Sequence, residues 1–178
     1  MLALGELLDN LRDSGGADAA VLSHILAPAP GSTGTAFDLP HVVAEAEPPL
    51  AGYGLGARLR LAAGDFFTAV PDGANTYLLS MILLSMILHD WSDPEASRLL
   101  ANIKAAAPAG ARLVAFELVV PDGPGPHMAK MIDLTMLGML TGKERTAAEY
   151  RALLKQTGFK FEGVTATPTP ISIIRALA

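Results

Sequence analysis

Residues Ile87-Leu88-His89-Asp90-Trp91-Ser92-Asp93 carry an apolar run into a His-Asp pair and then into a helix start. A histidine beyond the end of a buried strand is well suited to acid–base work, because its charge changes near neutral pH. Other polar residues sit at comparable ends: Asp38, Asp65 and Glu117. Glu117 lies inside an apolar strand, where an unpaired carboxylate is costly, so it needs a partner, and a catalytic His is a suitable one. Asp13-Ser14-Gly15-Gly16 forms a Gly-rich turn, and Asp38 follows Gly15 by 23 positions. An acidic group about 20 residues after such a turn can accept hydrogen bonds from ribose hydroxyls. Together these residues point to nucleoside binding beside an acid–base site. Each also has a plainer reading: Asp38 as a turn residue before Leu39-Pro40, Asp65 as a cap on Phe66-Phe67, His89 as a helix-entry residue.

The surroundings of His89 are unusual, since Leu-Ser-Met-Ile-Leu occurs at 79–83 and again at 84–88. His24, His41 and His127 read as surface or turn residues. Met128, Met131, Met136 and Met139 mark a Met-rich helix whose default role is core packing, though such a face also suits a flat apolar ligand.

The elements that position these groups alternate along the chain. Leu2–Leu11 has a helical pattern, as does Ala17–Ala27, which Pro28, Pro30 and Gly31 stop. Thr35–Phe37, Arg58–Ala63, Thr76–Leu83 and Arg112–Val120 read as strands. A helix follows Asp93-Pro94, with Ser92 and Glu95 at capping-box spacing. Further helices are expected over Met128–Leu140 and from Thr146-Ala-Ala-Glu149 to Gly158, then strands near Phe159–Thr165 and Ile171–Ala176. Such alternation indicates an α/β fold, a mostly parallel sheet with helices on both faces. In that architecture ligands sit beyond the carboxyl ends of the strands.

Bulk properties narrow the classes. At 178 residues and 51% hydrophobic, the chain can bury a real core as one domain. Its net charge of −5 argues against a nucleic-acid surface. With no Cys there are no disulfides or thiolate metal sites. No signal peptide is apparent, and the longest apolar run, Tyr77–Leu88, is too short to span a bilayer. A soluble cytoplasmic protein without a membrane partner is expected.

Residues 13–177 resemble the catalytic domain of the S-adenosylmethionine-dependent O-methyltransferases of the plant caffeate type, closest to the actinobacterial branch acting on polyketides and other aromatic products. The resemblance rests on FDLPHVV (37–43), GDFF (64–67), ILHDWSD (87–93), PAGARLVAFELVVPDGPG (108–125), DLTML (133–137) and GKERTAAEY (142–150), in order and mostly at matching spacing. It implies a Rossmann-like fold with an antiparallel last strand, and metal-independent methyl transfer from S-adenosyl-L-methionine to a hydroxyl of an aromatic small molecule. His89 then matches the general base, Glu117 and Glu144 the two acids that flank and orient it, and Asp90 a residue that helps place the acceptor. Gly15, Asp38, Asp65 and Phe66 match cofactor contacts. A phenol with a pKa of about 10 costs roughly 4 kcal/mol to ionise at neutral pH, which a neighbouring imidazole offsets by taking the proton as the oxygen attacks.

The chain departs from the family pattern in several places. The resemblance implies an N-terminal helical domain for dimerisation, whereas residues 1–178 read as a single methyltransferase domain with 1–12 an atypical lead-in; a homodimer is therefore a weakened expectation. Two of four turn glycines are Ala17 and Ala19, which cost about 1–2 kcal/mol where positive φ is needed. Leu7–Arg12 makes a poor central strand. Asn75 stands where an Asp is expected. Finally, the odd five-residue repeat flips every side chain beyond it unless the surplus is bulged or looped out, with Ser80 and Ser85 both open as the strand-end residue. Two other readings stay open: a truncated, non-catalytic methyltransferase-fold protein, and a relative that uses the cofactor scaffold for hydroxylation or decarboxylation.

Overall fold

The computed structural model describes residues 9–16, 19–80, 86–139 and 141–178. The strands are β1 (Asn10–Ser14), β2 (Thr33–Asp38), β3 (Leu59–Ala63), β4 (Thr76–Leu79), β5 (Arg112–Val120), β6 (Arg145–Thr146), β7 (Lys160–Ala166) and β8 (Ile171–Leu177). They form one eight-stranded sheet in the order β3-β2-β1-β4-β5-β8-β7, with β6 added beside β5. Pairing is parallel from β3 to β5, while β8 is antiparallel to both β5 and β7. The helices are α1 (Ala20–Leu26), α2 (Pro40–Leu50), α3 (Asp93–Ala106), α4 (Met128–Met139) and α5 (Ala147–Gln156). This is the Rossmann-like sheet with an antiparallel last strand.

Strand alternation distributes the core to both faces. Tyr77 and Leu79 pack with Leu99, Ile103 and Leu154 of α3 and α5, while Leu78 between them packs with Leu11, Leu22 and Leu26 on the α1 side. The chain runs outward from β1 to β3, then returns to place β4 on the other side of β1. That reversal of strand order falls between β1 and β4, whose carboxyl ends are the usual ligand position in such sheets. No helix among the described residues is long and apolar enough to cross a membrane.

Several sequence expectations change. Asn10 and Leu11 belong to β1, not to a helix over Leu2–Leu11; residues 1–8 lie outside the described residues. Weak as its sequence is, β1 is bonded on both sides, to β2 and β4, and Leu11 and Asp13 are 0% exposed. Tertiary pairing overrides the local pattern. Helix α2 was not legible, because Pro48 and Pro49 stand in its last turn and read as breakers. Arg58 ends a short 3-10 turn ahead of β3. The capping box at Ser92 and Glu95 is present: Ser92 precedes the first turn of α3 as its cap, with its N–H on the Glu95 carboxylate at 3.0 Å.

The doubled pentapeptide resolves at its flanks. Leu79 of the first copy ends β4 in register with Ser14 and Ala115, and Leu88 of the second begins the turn carrying His89. Residues 81–85, including Ser85, lie outside the described residues.

Ala19 has φ 64 and is the only positive-φ non-glycine residue among those described. Its side chain is 0% exposed. Replacing it by Gly loses a buried methyl, about 0.8 kcal/mol, and gains unfolded-state freedom, but it relieves about 1–2 kcal/mol of left-handed strain. Ala19→Gly is therefore expected to be near neutral by chemical denaturation, whereas Ala96→Gly, equally buried but helical, is expected to lose about 2 kcal/mol. Equal losses at the two positions would show that Ala19 is unstrained.

Candidate active site

The site begins where β1 and β4 end side by side. Ser80, just past β4, donates its hydroxyl to the Asp13 carboxylate at 2.8 and 2.9 Å. Asp13 is fully buried, and burial pushes its pKa up to about 7 against the lowering effect of the Ser80 bond. Ser80 thus takes the strand-end position. Gly15 adopts φ 80, and its N–H reaches the Phe37 carbonyl at 2.9 Å. A Cβ on Gly15 would lie 2.5 Å from Ile87 Cδ1, so a side chain there would displace the approach to His89.

Asp38 and Asp65 stand at the same edge, at and just after the ends of β2 and β3. Asp38 accepts the Leu39 N–H at 2.7 Å. Asp65 accepts the Phe67 N–H at 2.8 Å, the capping role that its position before Phe66-Phe67 suggested. Phe66 packs edge-to-face on Phe67 and Trp91, with centroids 4.8 and 6.3 Å apart.

His89 lies in a 3-10 turn, Leu88–Asp90, and is 3% exposed. Its Nδ1 is 2.8 Å from Glu144 Oε1 and its Nε2 is 3.1 Å from Asp90 Oδ1. Burial alone disfavours the imidazolium. The bonds to Asp90 and Glu144 and the charges of Glu117 and Asp90 outweigh it, raising the pKa to about 10. Glu117 is 0% exposed but does not hydrogen-bond the imidazole. Its Oε1 accepts the Leu88 N–H at 2.8 Å and its Oε2 accepts the Tyr150 hydroxyl at 3.2 Å. The expectation that both acids flank the ring is corrected to this extent: Glu144 touches the ring, and Glu117 holds the backbone one residue before it. Burial pushes Glu117 up to about 7, moderated by the Leu88 N–H and the His89 charge.

The residues that hold this turn were not singled out from sequence. Arg145 is 0% exposed. Its guanidinium donates to the carbonyls of Leu88 at 2.6 Å and Trp91 at 2.8 Å, on either side of His89-Asp90, and to Asp93 at 2.9 Å. The adjacent Glu144 N–H is held by Asp133 of α4 at 2.9 Å, which couples the DLTML and GKERT motifs. Gly142 passes directly over the turn backbone: a Cβ there would collide with the carbonyl of His89 and with Asp90 and Trp91. The available signal was an Arg in the middle of a short motif just ahead of a capping box. Thr146 then caps α5, its hydroxyl accepting the Glu149 N–H at 3.2 Å, as its spacing indicated.

Other candidates lie elsewhere. His24 and His41 are exposed, and His127 accepts the Ala129 N–H at the start of α4. The Met-rich helix is only partly core. Met136 is 5% exposed, whereas Met128 and Met131 are 53% and 72% exposed. Among its described side chains, α4 buries mainly Ala129 and Met136, too narrow a stripe to cover its methionines. A groove of about 380 Å³ runs between α4 and residues 142–149; it is lined by Leu134, Leu137, Asp133 and Glu144 but not by His89.

The chain belongs to the O-methyltransferase family: residues 4–160 match its O-methyltransferase domain. It is 40% identical over 164 residues to phenazine O-methyltransferase PhzM of Lysobacter antibioticus, covering 92% of this chain and 47% of that protein. Identity to O-demethylpuromycin-O-methyltransferase of Streptomyces alboniger is also 40%, over 169 residues, covering 92% and 44%. The crystal structure of LaPhzM superposes with a TM-score of 0.88 at 38% identity, over 95% of this chain and 49% of that one. Human N-acetylserotonin methyltransferase, solved in complex with SAM, gives 0.84 at 29% identity, over 96% and 48%. The chain spans about half the length of the curated relatives it matches.

Two outcomes follow from this geometry. Arg145→Lys cannot bridge both carbonyls and Asp93, and is expected to cost roughly 3 kcal/mol, the penalty of leaving buried acceptors unpaired. Urea denaturation measures it, and a loss below about 1 kcal/mol would show that the guanidinium does not hold the turn. Asp13 and Glu117 keep their protons up to about 7, above ordinary values of 3.8 and 4.5, and His89 keeps its proton up to about 10, above 6.5. All three bind protons more tightly folded than unfolded, so stability falls as pH rises, through the carboxyls from about pH 4 to 7 and through His89 from about pH 6.5 to 10. Thermal midpoints are expected to drop steadily from about pH 5 to 10; a rise over that interval contradicts the assignment.

Proposed function

We propose that this chain is the catalytic part of an O-methyltransferase that moves a methyl group from S-adenosylmethionine to a hydroxyl of an aromatic small molecule of secondary metabolism, with His89 as general base. The observation that carries the reading is the His89 imidazole beyond the end of β4, with Nδ1 held by Glu144 at 2.8 Å. The names of the relatives support the substrate class, since they act on a phenazine and on O-demethylpuromycin.

The residues present fit the cofactor. Gly15 and Gly16 leave the backbone bare where a Cβ would meet Ile87 and the Asp13 carboxylate, Asp38 and Asp65 offer acceptors for ribose hydroxyls and an amino group, and the half-buried Phe66 ring suits a base face. S-adenosylmethionine, when bound, supplies a methyl group on a sulfonium sulfur that departs as a thioether. The protein's part is alignment and proton handling. His89 takes the hydroxyl proton on Nε2, Glu144 fixes the tautomer through Nδ1 and stabilises the imidazolium, and Glu117 and Arg145 hold the turn. Asp90, beside Nε2, faces the position that the acceptor hydroxyl would take.

A second reading, a methyltransferase fold without turnover, draws on Ala19, whose left-handed φ of 64 lies at the turn that would hold the cofactor. Calorimetric titration with S-adenosylhomocysteine separates the two. Micromolar binding, with loss of methylation of a phenolic panel in His89→Gln by about 100-fold or more, is the expected result. No binding at millimolar ligand would leave only the second reading, and unchanged methylation in His89→Gln would remove His89 as the base.

A further inference from the structure

A base that is 3% exposed has a problem after each turnover: the proton it has taken must leave. The imidazole is enclosed on almost every side. Nδ1 faces Glu144, whose side chain is 0% exposed and whose Oε2 has no solvent access and, among the described residues, no partner. From β5, Glu117 is 0% exposed and is itself bonded to the buried Tyr150 of α5. From β6, Arg145 is 0% exposed and has only donors to offer. Asp133 of α4 reaches Glu144 by its N–H, and Lys143 and Asp93 pair with each other at 3.2 Å and with Glu149 and Arg145, not with the ring. Among the described residues, the group that both touches the imidazole and reaches water is Asp90: Oδ1 lies 3.1 Å from Nε2 and the side chain is 26% exposed.

The geometry also fixes what the ring carries at rest. Both nitrogens face carboxylate oxygens, at 2.8 and 3.1 Å, and a carboxylate oxygen can only accept. The Nδ1–Glu144 contact is a hydrogen bond, and the Nε2–Asp90 contact an ion pair, when both nitrogens hold protons. The resting ring is then an imidazolium, which must lose the Nε2 proton before it can act as a base.

We propose that Asp90 is the proton exit of this site: its carboxylate takes the proton from His89 Nε2 and passes it to water. The step balances without another reactant. The Nε2–H bond breaks as an Oδ1–H bond forms, leaving neutral imidazole and a carboxylic acid; the acid then gives its proton to solvent and returns to carboxylate. In the methylation reading on which this rests, the hydroxyl proton moves to Nε2 as the O–C bond forms and the C–S bond breaks, and Asp90 afterwards clears it. Asp90 and the acceptor hydroxyl therefore take turns at one nitrogen.

The test is the exchange of the His89 Nε2 proton with water, followed by NMR on the full chain labelled with nitrogen-15 in its histidines, in imidazole buffers of increasing concentration. Asp90→Asn keeps an oxygen that can accept from Nε2 but cannot carry a proton onward. In wild type, exchange is expected to be independent of buffer concentration, because Asp90 supplies the acceptor. In Asp90→Asn, exchange is expected to double with each doubling of buffer, because only a diffusing base can replace the carboxylate. Glu144→Gln also removes a carboxylate from the ring but leaves the exit, and is expected to behave as wild type; this separates the exit from a mere shift in ring basicity. Asp90→Ala provides a second removal if Asp90→Asn does not fold. Buffer-independent exchange in both Asp90 variants, or buffer dependence in Glu144→Gln, would overturn the proposal. The measurement uses neither cofactor nor acceptor, so its failure leaves the methyltransferase reading standing, and a failed cofactor titration leaves the proton route measurable.

Discussion

The buried guanidinium of Arg145 is the interaction on which the site depends. A charge at 0% exposure is tolerated only when its N–H groups meet acceptors, and here the acceptors are the Leu88 and Trp91 carbonyls and Asp93. Satisfying one cation thus fixes both ends of the turn that bears His89 and Asp90, and ties that turn to the first residue of α3. Because Glu144 precedes Arg145 in the chain, the same anchoring delivers a carboxylate to His89 Nδ1. Two jobs, holding the turn and orienting the ring, are done by neighbouring residues. Gly142 permits the close crossing that both require.

Around this cation and the imidazole stand Asp90, Glu117 and Glu144, so acids outnumber bases in a poorly solvated space. The excess is met in two ways. Glu117 is pushed toward its neutral form and shares hydrogen bonds with a backbone N–H and a phenol, while His89 is driven toward its charged form. Proton affinity is therefore a property of the cluster, and moving charge on any member shifts the rest. Asp13, bound to Ser80 across the gap between β1 and β4, repeats the device at the neighbouring strand ends.

The sequence made the parallel sheet, β5, the two capped helices and the edge bearing Asp38, Asp65 and His89 legible, because these depend on local signals: apolar runs, capping spacings and residues just past strand ends. What it hid depends on partners distant in the chain. β1 is a strand because β2 and β4 bond to it, not because Asn10-Leu11-Arg12-Asp13-Ser14 favours one. Glu117, a carboxylate in an apolar strand, needs a partner, but which partner depends on where α5 places Tyr150. Arg145 looked like one basic residue in a polar motif, and only the folded chain shows it enclosed. The Met-rich stretch has the composition of a core helix, yet its azimuth on the sheet leaves Met128 and Met131 outward.

That azimuth gives the protein an uneven response to oxidants. Methionine sulfur reacts according to its access to solvent, and the products are polar sulfoxides. Met128 and Met131, at 53% and 72% exposure, stand far ahead of Met136 and Met86, both at 5%. Among the described methionines, peroxide therefore modifies those on the outer face of α4 first, making an apolar surface more hydrophilic, while Met136 and Met86 are spared. The exposed thioethers make none of the hydrogen bonds described around His89, so their oxidation changes the outer face of α4 and leaves those bonds in place.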